Sequence, residues 1–363
     1  MGFSKIIALD LGKFKTVACV MDVASRTHAF ETIEMSPASV HDLVVRHVTD
    51  APTDTLVAFE ACDCAGWVHD VCSALGASII VVNANDERWR WRRVKRKTDR
   101  DDALKIARLA ALDQLGAVHM PDPPARQRRR LMTHRRSVVS RRTQSRNAVR
   151  SIFSQQGIAL ARGGKQWTVA GVAQLRAHAR PIASCADVND LWRGRLQVEL
   201  DLIAATDAQL KLLDARLDDL SNGDPRVTLL RSFKGVGPRL AEAVVLYLDD
   251  PSRFASAAAV ASYAGLVPRQ IESGTMRRFG HITGRGPGLL RSLLVEAAWT
   301  VYRCHDWAKS FVDKVSAGGR ARRKLAIVAL ARRVLVICWG MLKTNTPFRP
   351  PRTRATSAVI ATG

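Results

Sequence analysis

The sequence predicts a protein of several domains: a mixed α/β domain, then a basic helical arm, then a mostly α-helical domain. Strand-like and helix-like segments alternate up to residue 82, whereas residues 88–150 are rich in arginine and show no such alternation. A Ser-Asn-Gly-Asp-Pro linker at residues 221–225 precedes the last region. The chain of 363 residues is 47% hydrophobic, so it is long enough to form two or three cores.

The first region reads as three strands followed by alternating helices and strands. Helical spacing of apolar residues occurs at residues 39–48 and 65–75. Three strands followed by this alternation favour a mixed sheet of ribonuclease H type. The predicted strands are residues 5–10 (KIIALD), 16–22 (TVACVMD), about 27–33, 55–59 (TLVAF) and 77–82 (ASIIVV).

Two long helices are predicted in the middle of the chain. Residues 126–153 contain no Pro or Gly, and residues 191–220 also have helical spacing. Together they favour a helical hairpin or coiled-coil arm with Gly163 and Gly164 at its tip, although each could be an ordinary amphipathic helix. The predicted boundaries are 1–115 for the catalytic domain, 116–222 for the arm, 223–345 for the C-terminal domain and 346–363 for a disordered Pro/Arg-rich tail.

The charge of the chain predicts a polyanionic partner. There are 56 Lys and Arg against 33 Asp and Glu, which gives a net charge of +23, and nucleic acid is the commonest partner of so basic a protein. The longest apolar stretch, residues 325–342, is interrupted by Arg332 and Arg333, so we expect no membrane span. The N-terminus has no signal-peptide pattern, which favours a cytoplasmic location.

The cysteines do not predict disulfides or zinc. They are seven in number, which is odd, and they are scattered along the chain. Disulfide frameworks use even, clustered sets in short secreted chains, so we expect reduced thiols in the core. Cys62 and Cys64 form a C-x-C pair without a second pair at zinc-ligand spacing.

Four acidic residues are candidate metal ligands. Asp10 ends the first predicted strand and Glu60 follows the fourth, so both are expected at one edge of the sheet. Thr98 is a good helix N-cap, which puts Asp99 and Asp102 on one face of the helix that follows. Acids that converge in this way repel each other unless cations bind. Oxygen ligands without His or Cys favour Mg²⁺ or Mn²⁺, although an Asp at a helix start often only offsets the helix dipole.

The basic residues are candidate phosphate contacts. Trp89 and Trp91 lie among the first of them and could stack on bases or belong to a core. The candidates in the first two regions are Arg88, Arg90, Arg92, Arg93, Lys95, Arg96, Lys97, Arg128, Arg129 and Arg130. Those in the last region are Arg269, Arg277, Arg278, Arg285 and Arg291.

Two short motifs stand out in the last region. Gly235 and Gly237 precede Pro238 in a Gly-Val-Gly-Pro step that predicts either a helix-hairpin-helix, whose amides approach a phosphate, or a plain helix start. Ser273 lies in a polar segment, residues 269–278, which we expect to be a loop between two helices. A serine there needs a base or a metal to become a nucleophile.

Several of these motifs in combination resemble one family. ALDLGK at residues 8–13, VAFEA at 57–61 and KTDRDDA at 97–103 are similar to motifs of the DEDD transposases of insertion sequences of the IS110 kind, related to the Piv and MooV invertases. FKGVGPRLAEAVV at 233–245 and the segment around Ser273 extend the resemblance, which covers residues 5–342. The chain has Glu272 where the family usually has a further serine, and Gly284 and Pro287 where Lys and Asn are commoner.

The resemblance implies a function. It places the four acids, Asp10, Glu60, Asp99 and Asp102, in a RuvC-like domain that binds Mg²⁺ or Mn²⁺, and it makes Ser273 the nucleophile of DNA cleavage and rejoining. It also implies double-stranded DNA and a structured non-coding guide RNA as partners, and a dimer or tetramer. Two alternatives stay open: a RuvC-like junction nuclease in which water attacks, and a nucleic-acid-binding protein without catalysis.

Overall fold

The computed structural model describes residues 2–48, 54–83, 98–161, 163–273 and 276–350, and gives the backbone alone for residues 271–273 and 276–279. The chain divides into two compact units, Met1–Arg126 and Gln127–Gly363. The predicted basic residues 88–97 lie outside the described part of the chain.

The first unit is built on a five-stranded sheet with the strand order β3-β2-β1-β4-β5. The first three strands form an antiparallel meander, and β4 and β5 pair in parallel with β1 and with each other. The mixed α/β sheet predicted from the sequence is therefore confirmed. The strands are β1 (Lys5–Leu11), β2 (Lys15–Asp22), β3 (His28–Glu34), β4 (Thr55–Glu60) and β5 (Ser78–Val82).

Helices cover both faces of this sheet. One face packs against α1 (Pro37–Val48) and α2 (Ala65–Ala74) through a core that contains Ile7 and Leu9. The other face, with Ile6 and Ala8, packs against α3 (Asp99–Ala111). Successive strand residues point to opposite faces. A strand buried on both faces therefore needs a continuous apolar run, and β1 has one.

The second unit is mostly helical, as the sequence predicts. Its helices are α4 (Pro123–Gln155), which begins just before the unit, α5 (Val169–His178), α6 (Leu191–Ser221), α7 (Pro225–Arg231), α8 (Pro238–Leu248), α9 (Ala257–Tyr263), α10 (Gly288–Cys304), α11 (Asp306–Ser316) and α12 (Arg323–Thr344). Its strands are β6 (Pro268–Ser273) and β7 (Met276–Ile282).

Helices α4 and α6 pair in antiparallel orientation. Near the end of α4, Val149 and Phe153 share a core with Leu200 of α6. Towards the start of α4, guanidinium groups bind acids that lie progressively later in α6. These pairs are Arg142 with Asp207, at 2.7 Å, and Arg135 with Asp214, at 2.7 Å. This is the helical hairpin that the sequence predicts.

Helix α12 is the core helix of the C-terminal part. It packs against α7–α11 and buries a face that includes Leu330, Val334 and Cys338. Within the described residues, the stretch Arg320–Thr344 is the one helix long and apolar enough to cross a membrane by length and composition. About half of it is buried, which is also the pattern of a core helix.

Two expectations differ from the structure. Residues 269–273 and 276–278, expected as part of a polar loop, belong to the antiparallel strands β6 and β7, because extended backbone pairing satisfies the amides of these polar segments. The tail, expected to be disordered from residue 346, packs through Phe348, whereas Arg349 and Pro350 are exposed. The Phe348 ring stacks on Phe233 at 3.9 Å between centroids, and the Phe348 amide donates to the Ser232 hydroxyl.

Candidate functional site

The register of the sheet places two of the predicted acids side by side. β1 and β4 pair in parallel with partners fifty residues apart, from Lys5 opposite Thr55 to Leu9 opposite Phe59. Continuing this register by one residue sets Asp10 level with Glu60. Both residues are half-buried. In β1 and β4 the even-numbered side chains face α3, and Asp10 and Glu60 continue this even-numbered series. The two carboxylates therefore share one edge and one face of the sheet.

Helix α3 brings the other two acids to the same face. Ala103 and Ile106 are completely buried against the sheet. Asp99 lies four residues before Ala103 and Asp102 four residues before Ile106, so both acids continue that buried stripe at the N-terminal end of the helix. At this first turn Asp102 is half-buried, whereas the Asp99 side chain is 57% exposed at the end of the stripe.

A capping box fixes where α3 begins. The Asp101 amide donates to the Thr98 hydroxyl at 3.3 Å, and the Thr98 amide donates to the Asp101 carboxylate at 3.0 Å. These hydrogen bonds lower the pKa of Asp101. Asp101 thus stabilises the helix start, which leaves Asp99 and Asp102 as the two acids of this helix that face the sheet.

An ion pair connects the start of α3 to the edge that carries Asp10. The Lys15 ammonium lies 3.7 Å from the Asp99 carboxylate. Lys15 begins β2, next to the strand residues that pair with Leu11 and Asp10. Asp99 therefore lies near the same edge, where the Lys15 ammonium forms an ion pair with it. Lys15 was not predicted from the sequence. The signal that could have indicated it is its position, two residues before Val17, which pairs with Asp10.

The four acids suit a hard divalent cation in their chemistry. All their donors are carboxylate oxygens, which Mg²⁺ and Mn²⁺ prefer. Among the residues that the structure describes, no three acidic, His or Cys side chains lie close enough together to hold a metal ion. The four acids therefore fit a divalent cation in the type of their donor atoms and in their position near one edge of the sheet.

Two thiols follow Glu60 at this edge. Cys62 is exposed, and its sulfur lies 3.2 Å from that of Cys64. Burial, together with the neighbouring Cys62 thiol, raises the pKa of Cys64 to about 12. All seven cysteines are free. The expected core position is found for Cys19, Cys72 and Cys338 and is wrong for Cys62 and Cys304, which are exposed.

The second unit places Ser273 at a hairpin. Ser273 is the last residue of β6, and its backbone pairs with Met276 at the start of β7. The serine therefore lies at the end of the two-stranded ribbon, on a backbone held by its pairing with β7. The side chains of Arg277 and Arg278, on β7, lie outside the description. The neighbouring Arg269 and Arg285 are exposed.

The Gly-Val-Gly-Pro step joins two packed helices, α7 and α8. Gly235 has φ +105°, and a Cβ there would lie 2.7 Å from a methyl carbon of Val301. Gly237 is the N-cap of α8, with open space around it, and Pro238 is the first helical residue. The start of α8 borders an open cavity of about 420 Å³, whose lining also includes Arg239, Thr300 and the acidic residue Glu296. The helix amides favour an anion at this position, whereas the Glu296 carboxylate disfavours one.

The predicted arginines occupy different surroundings. Arg130 is exposed, whereas Arg129 is half-buried, donates to the Leu246 carbonyl and lies over the Tyr247 ring, 4.8 Å from its centroid. Arg128 is half-buried too. The Arg291 guanidinium donates to the Ala264 carbonyl at 3.0 Å and to the Arg285 carbonyl at 3.1 Å. Arg129 and Arg291 thus already bind backbone in the described structure.

The fold and the site together define a class. A mixed sheet with carboxylates at one edge, in a chain of net charge +23 with exposed arginines, is typical of enzymes that cut or join nucleic acid strands.

The family follows from comparison with known proteins. A model of the DEDD transposases of IS110 matches residues 7–157, and a model of the transposase IS116/IS110/IS902 family matches residues 227–313. The chain belongs to the IS110 family of transposases and is a DNA transposase or recombinase.

Relatives agree with this assignment. The chain is 29% identical over 256 residues to a probable family 20 transposase of Pseudomonas aeruginosa, covering 70% of this chain and 74% of the relative. It is 26% identical over 265 residues to the transposase for insertion sequence element IS1111A of Coxiella burnetii, covering 70% and 68%. It is 31% identical over 142 residues to a pilin gene-inverting protein of Moraxella lacunata, covering 38% and 44%.

Proposed function

We propose that this transposase cuts and rejoins DNA strands of an insertion sequence with a RuvC-like carboxylate site and a serine nucleophile. The observation that carries the proposal is the parallel register that sets Asp10 level with Glu60, on the face against which α3 packs. Asp99 and Asp102 complete the set. The proposed domains are residues 1–115, 116–222 and 223–345.

The four carboxylates would hold Mg²⁺ or Mn²⁺. When bound, such an ion activates an attacking oxygen and stabilises the charge that develops on a phosphodiester. Asp10 and Glu60 orient the site from the rigid sheet, and α3 supplies Asp99 and Asp102. Lys15 neutralises Asp99 in the described structure, so it limits the repulsion among the acids before a substrate enters.

Ser273 is the proposed nucleophile. Its Oγ forms a bond to the phosphorus while the bond from phosphorus to the leaving DNA oxygen breaks, and the hydroxyl proton passes to a base. Rejoining reverses these steps on a second strand. The support is the family resemblance of the segment around Ser273, together with the position of the serine at the end of β6, a strand that also carries the exposed Arg269.

The proposal extends to partners and assembly. Phosphate contacts fall to the exposed arginines and to the start of α8, beside Gly235 and Gly237. A structured guide RNA, implied by the resemblance, would select the DNA by base pairing, while the protein recognises shape and backbone. Strand exchange joins two duplexes, so a dimer or tetramer is the proposed active form.

Covalent trapping tests both halves of the proposal. Element-end DNA carrying a label is incubated with Mg²⁺, co-expressed element RNA and the wild-type chain, Ser273→Ala or Asp10→Ala. The adduct is expected with the wild type and absent with both variants. Asp101→Asn is the matched control: its amide oxygen can still accept the hydrogen bond from the Thr98 amide, so the start of α3 is kept and the adduct is expected to form.

Other outcomes have definite meanings. Cleavage without an adduct that persists in Ser273→Ala but not in Asp10→Ala would show that water is the nucleophile. DNA binding that continues unchanged in every variant, with no cleavage by the wild type, would contradict the catalytic proposal as a whole.

A further inference from the structure

The turn between β1 and β2 presents an aromatic ring to solvent at the edge that carries Asp10. Phe14 is 77% exposed, the largest exposed fraction among the large hydrophobic residues described in the first unit. By contrast, Phe59 in the same unit is completely buried. An isolated exposed apolar residue is ordinary on a protein surface. Phe14 differs in its position, at the edge of the sheet that carries Asp10.

The turn holds Phe14 in a fixed place. The Gly12 amide donates to the Lys15 carbonyl at 3.1 Å, which closes the turn, and the Met35 amide donates to the Phe14 carbonyl at 3.0 Å. A Cβ on Gly12 would lie 2.4 Å from the Lys15 carbonyl oxygen, so the tight turn requires glycine there. Because the backbone is bound on both sides of the turn, the ring stays at the edge of the site.

One ammonium group lies over a face of the ring. The Lys13 amine is 5.1 Å from the centroid of the Phe14 ring, whereas the ammonium of Lys15, which begins the next strand, lies 3.7 Å from the Asp99 carboxylate. An exposed aromatic ring with a cation at one face suits a nucleobase with its phosphate: a base can stack on the other face, and the amine attracts the backbone. A paired base is already stacked between its neighbours, so the ring fits an unpaired base.

We propose that Phe14 stacks on an unpaired DNA base next to the phosphate that is cut, with Lys13 contacting the adjoining backbone. The inference rests on the proposed function, because it needs the scissile phosphate at the edge that Asp10 shares. Phe14 then fixes the position of the strand relative to the carboxylates, and it favours DNA that is locally open.

The inference is tested by binding and photo-crosslinking of DNA. The probe is a duplex with a short unpaired bubble that carries a single iodouracil, and Ca²⁺ replaces Mg²⁺ so that no strand is cut. The full chain is compared with Phe14→Ala and Phe14→Tyr. Leu112→Ala is the matched control: Leu112 is 57% exposed and lies at the C-terminal end of α3, the opposite end from Asp99.

We expect the crosslink of the wild type to map to Phe14. Phe14→Ala is expected to bind the bubble about tenfold more weakly and to bind the intact duplex as before, since base stacking on an aromatic ring is lost. Phe14→Tyr and Leu112→Ala are expected to keep wild-type binding. The exposed position of Phe14 predicts an unchanged melting temperature for every variant.

Three results would overturn the inference. Equal binding of the bubble by Phe14→Ala and wild type would exclude stacking, and so would a crosslink that maps elsewhere. A matched RNA probe that crosslinks to Phe14 more strongly than the DNA would make the ligand RNA instead. Cleavage in Mg²⁺ by Asp10→Ala would contradict the proposed function, and it is measured separately from binding.

Discussion

Adjacent arginines of α4 have different surroundings. Arg141 is exposed, whereas the Arg142 guanidinium is half-buried and binds the Asp207 carboxylate on α6 at 2.7 Å. The same division separates exposed Arg130 from half-buried Arg129. A basic run in a sequence therefore contains both groups that hold the helical hairpin together and groups that can contact phosphates.

This division predicts opposite effects of two neighbouring substitutions. Arg141→Ala is expected to lower the slope of log DNA affinity against log salt by about 0.9, the loss of one phosphate contact, and to leave stability unchanged. Arg142→Ala is expected to lower the free energy of unfolding by about 1 kcal/mol and to keep the slope. Salt titrations and urea unfolding of both variants check this. A slope of Arg141→Ala equal to that of the wild type would mean that Arg141 contacts no DNA phosphate.

Glu242 is a buried acid whose titration affects stability. It is 1% exposed and accepts a hydrogen bond from the Ser221 hydroxyl at 2.7 Å. Burial raises its pKa, and this effect outweighs the lowering by Ser221 and by Arg239, 3.1 Å away. The folded state therefore holds this proton more tightly than the unfolded chain.

The raised pKa of Glu242 predicts a pH dependence with a definite sign. Its contribution is fully present below the ordinary carboxyl pKa of 4.5 and is lost as the pH rises through the raised value. The free energy of unfolding of the wild type minus that of Glu242→Gln should fall with pH in that window, by at most about 1.4 kcal/mol per pH unit. Urea unfolding at several pH values measures it. A difference independent of pH would contradict the assignment.

At the scale of elements, glycines fix the connection from β7 to α10. Gly284 and Gly286 have φ values of +64° and +79°, a region that favours glycine. A Cβ on Gly286 would lie 1.9 Å from the Tyr263 carbonyl oxygen, whereas nothing lies within 4 Å of one on Gly284. The two positions share the backbone strain and differ in the space available.

Alanine substitutions at these two positions distinguish the cost of a strained backbone from the cost of steric overlap with Tyr263. Gly284→Ala is expected to cost about 1 kcal/mol of stability, from backbone conformation alone. Gly286→Ala should cost clearly more, because the backbones of Gly286 and Tyr263 must move apart to admit the methyl group. Chemical unfolding of both variants makes the comparison. Equal losses would mean that the Tyr263 backbone moves aside at little cost.

The sequence predicted the elements whose pattern is local. Residues 5–10 are an apolar run bounded by turn residues, and Thr98 with Asp101 is a short-range cap, so β1 and the start of α3 were predictable. The hairpin of β6 and β7 was not predicted as strands, because its polar residues 269–278 have no regular apolar alternation. The pairing that brings Asp10 level with Glu60 depends on register, which single strands do not specify.

At the scale of the whole molecule, the C-terminal segment is part of the second unit. Residues 346–350 looked like the start of a disordered tail because they contain Pro and Arg. The partner of Phe348 is Phe233, more than a hundred residues earlier, and no local pattern predicts such a contact. His305 and Trp307 lie beside the same pair of rings.

This contact predicts where the chain can be shortened. Ending the chain at Pro350 is expected to leave the melting temperature unchanged. Ending it at Asn345, or the single change Phe348→Ala, should lower stability by about 1–2 kcal/mol, because the stacked pair is lost and Phe233 becomes exposed. The melting temperatures of the two shortened chains and of Phe348→Ala, compared with that of the wild type, test this prediction. A loss on removing residues 351–363 alone would show that the stabilising contacts lie further along the tail.

The offset of fifty residues between β1 and β4 also bears on how such chains can diverge. Residues added or removed in the loops between the two strands change that number but leave the pairing intact. One residue deleted inside β4 would turn Glu60 to the opposite face of the sheet. We therefore expect homologues to differ in length around residues 49–54, between α1 and β4, and to keep α1 and the strands themselves free of insertions and deletions.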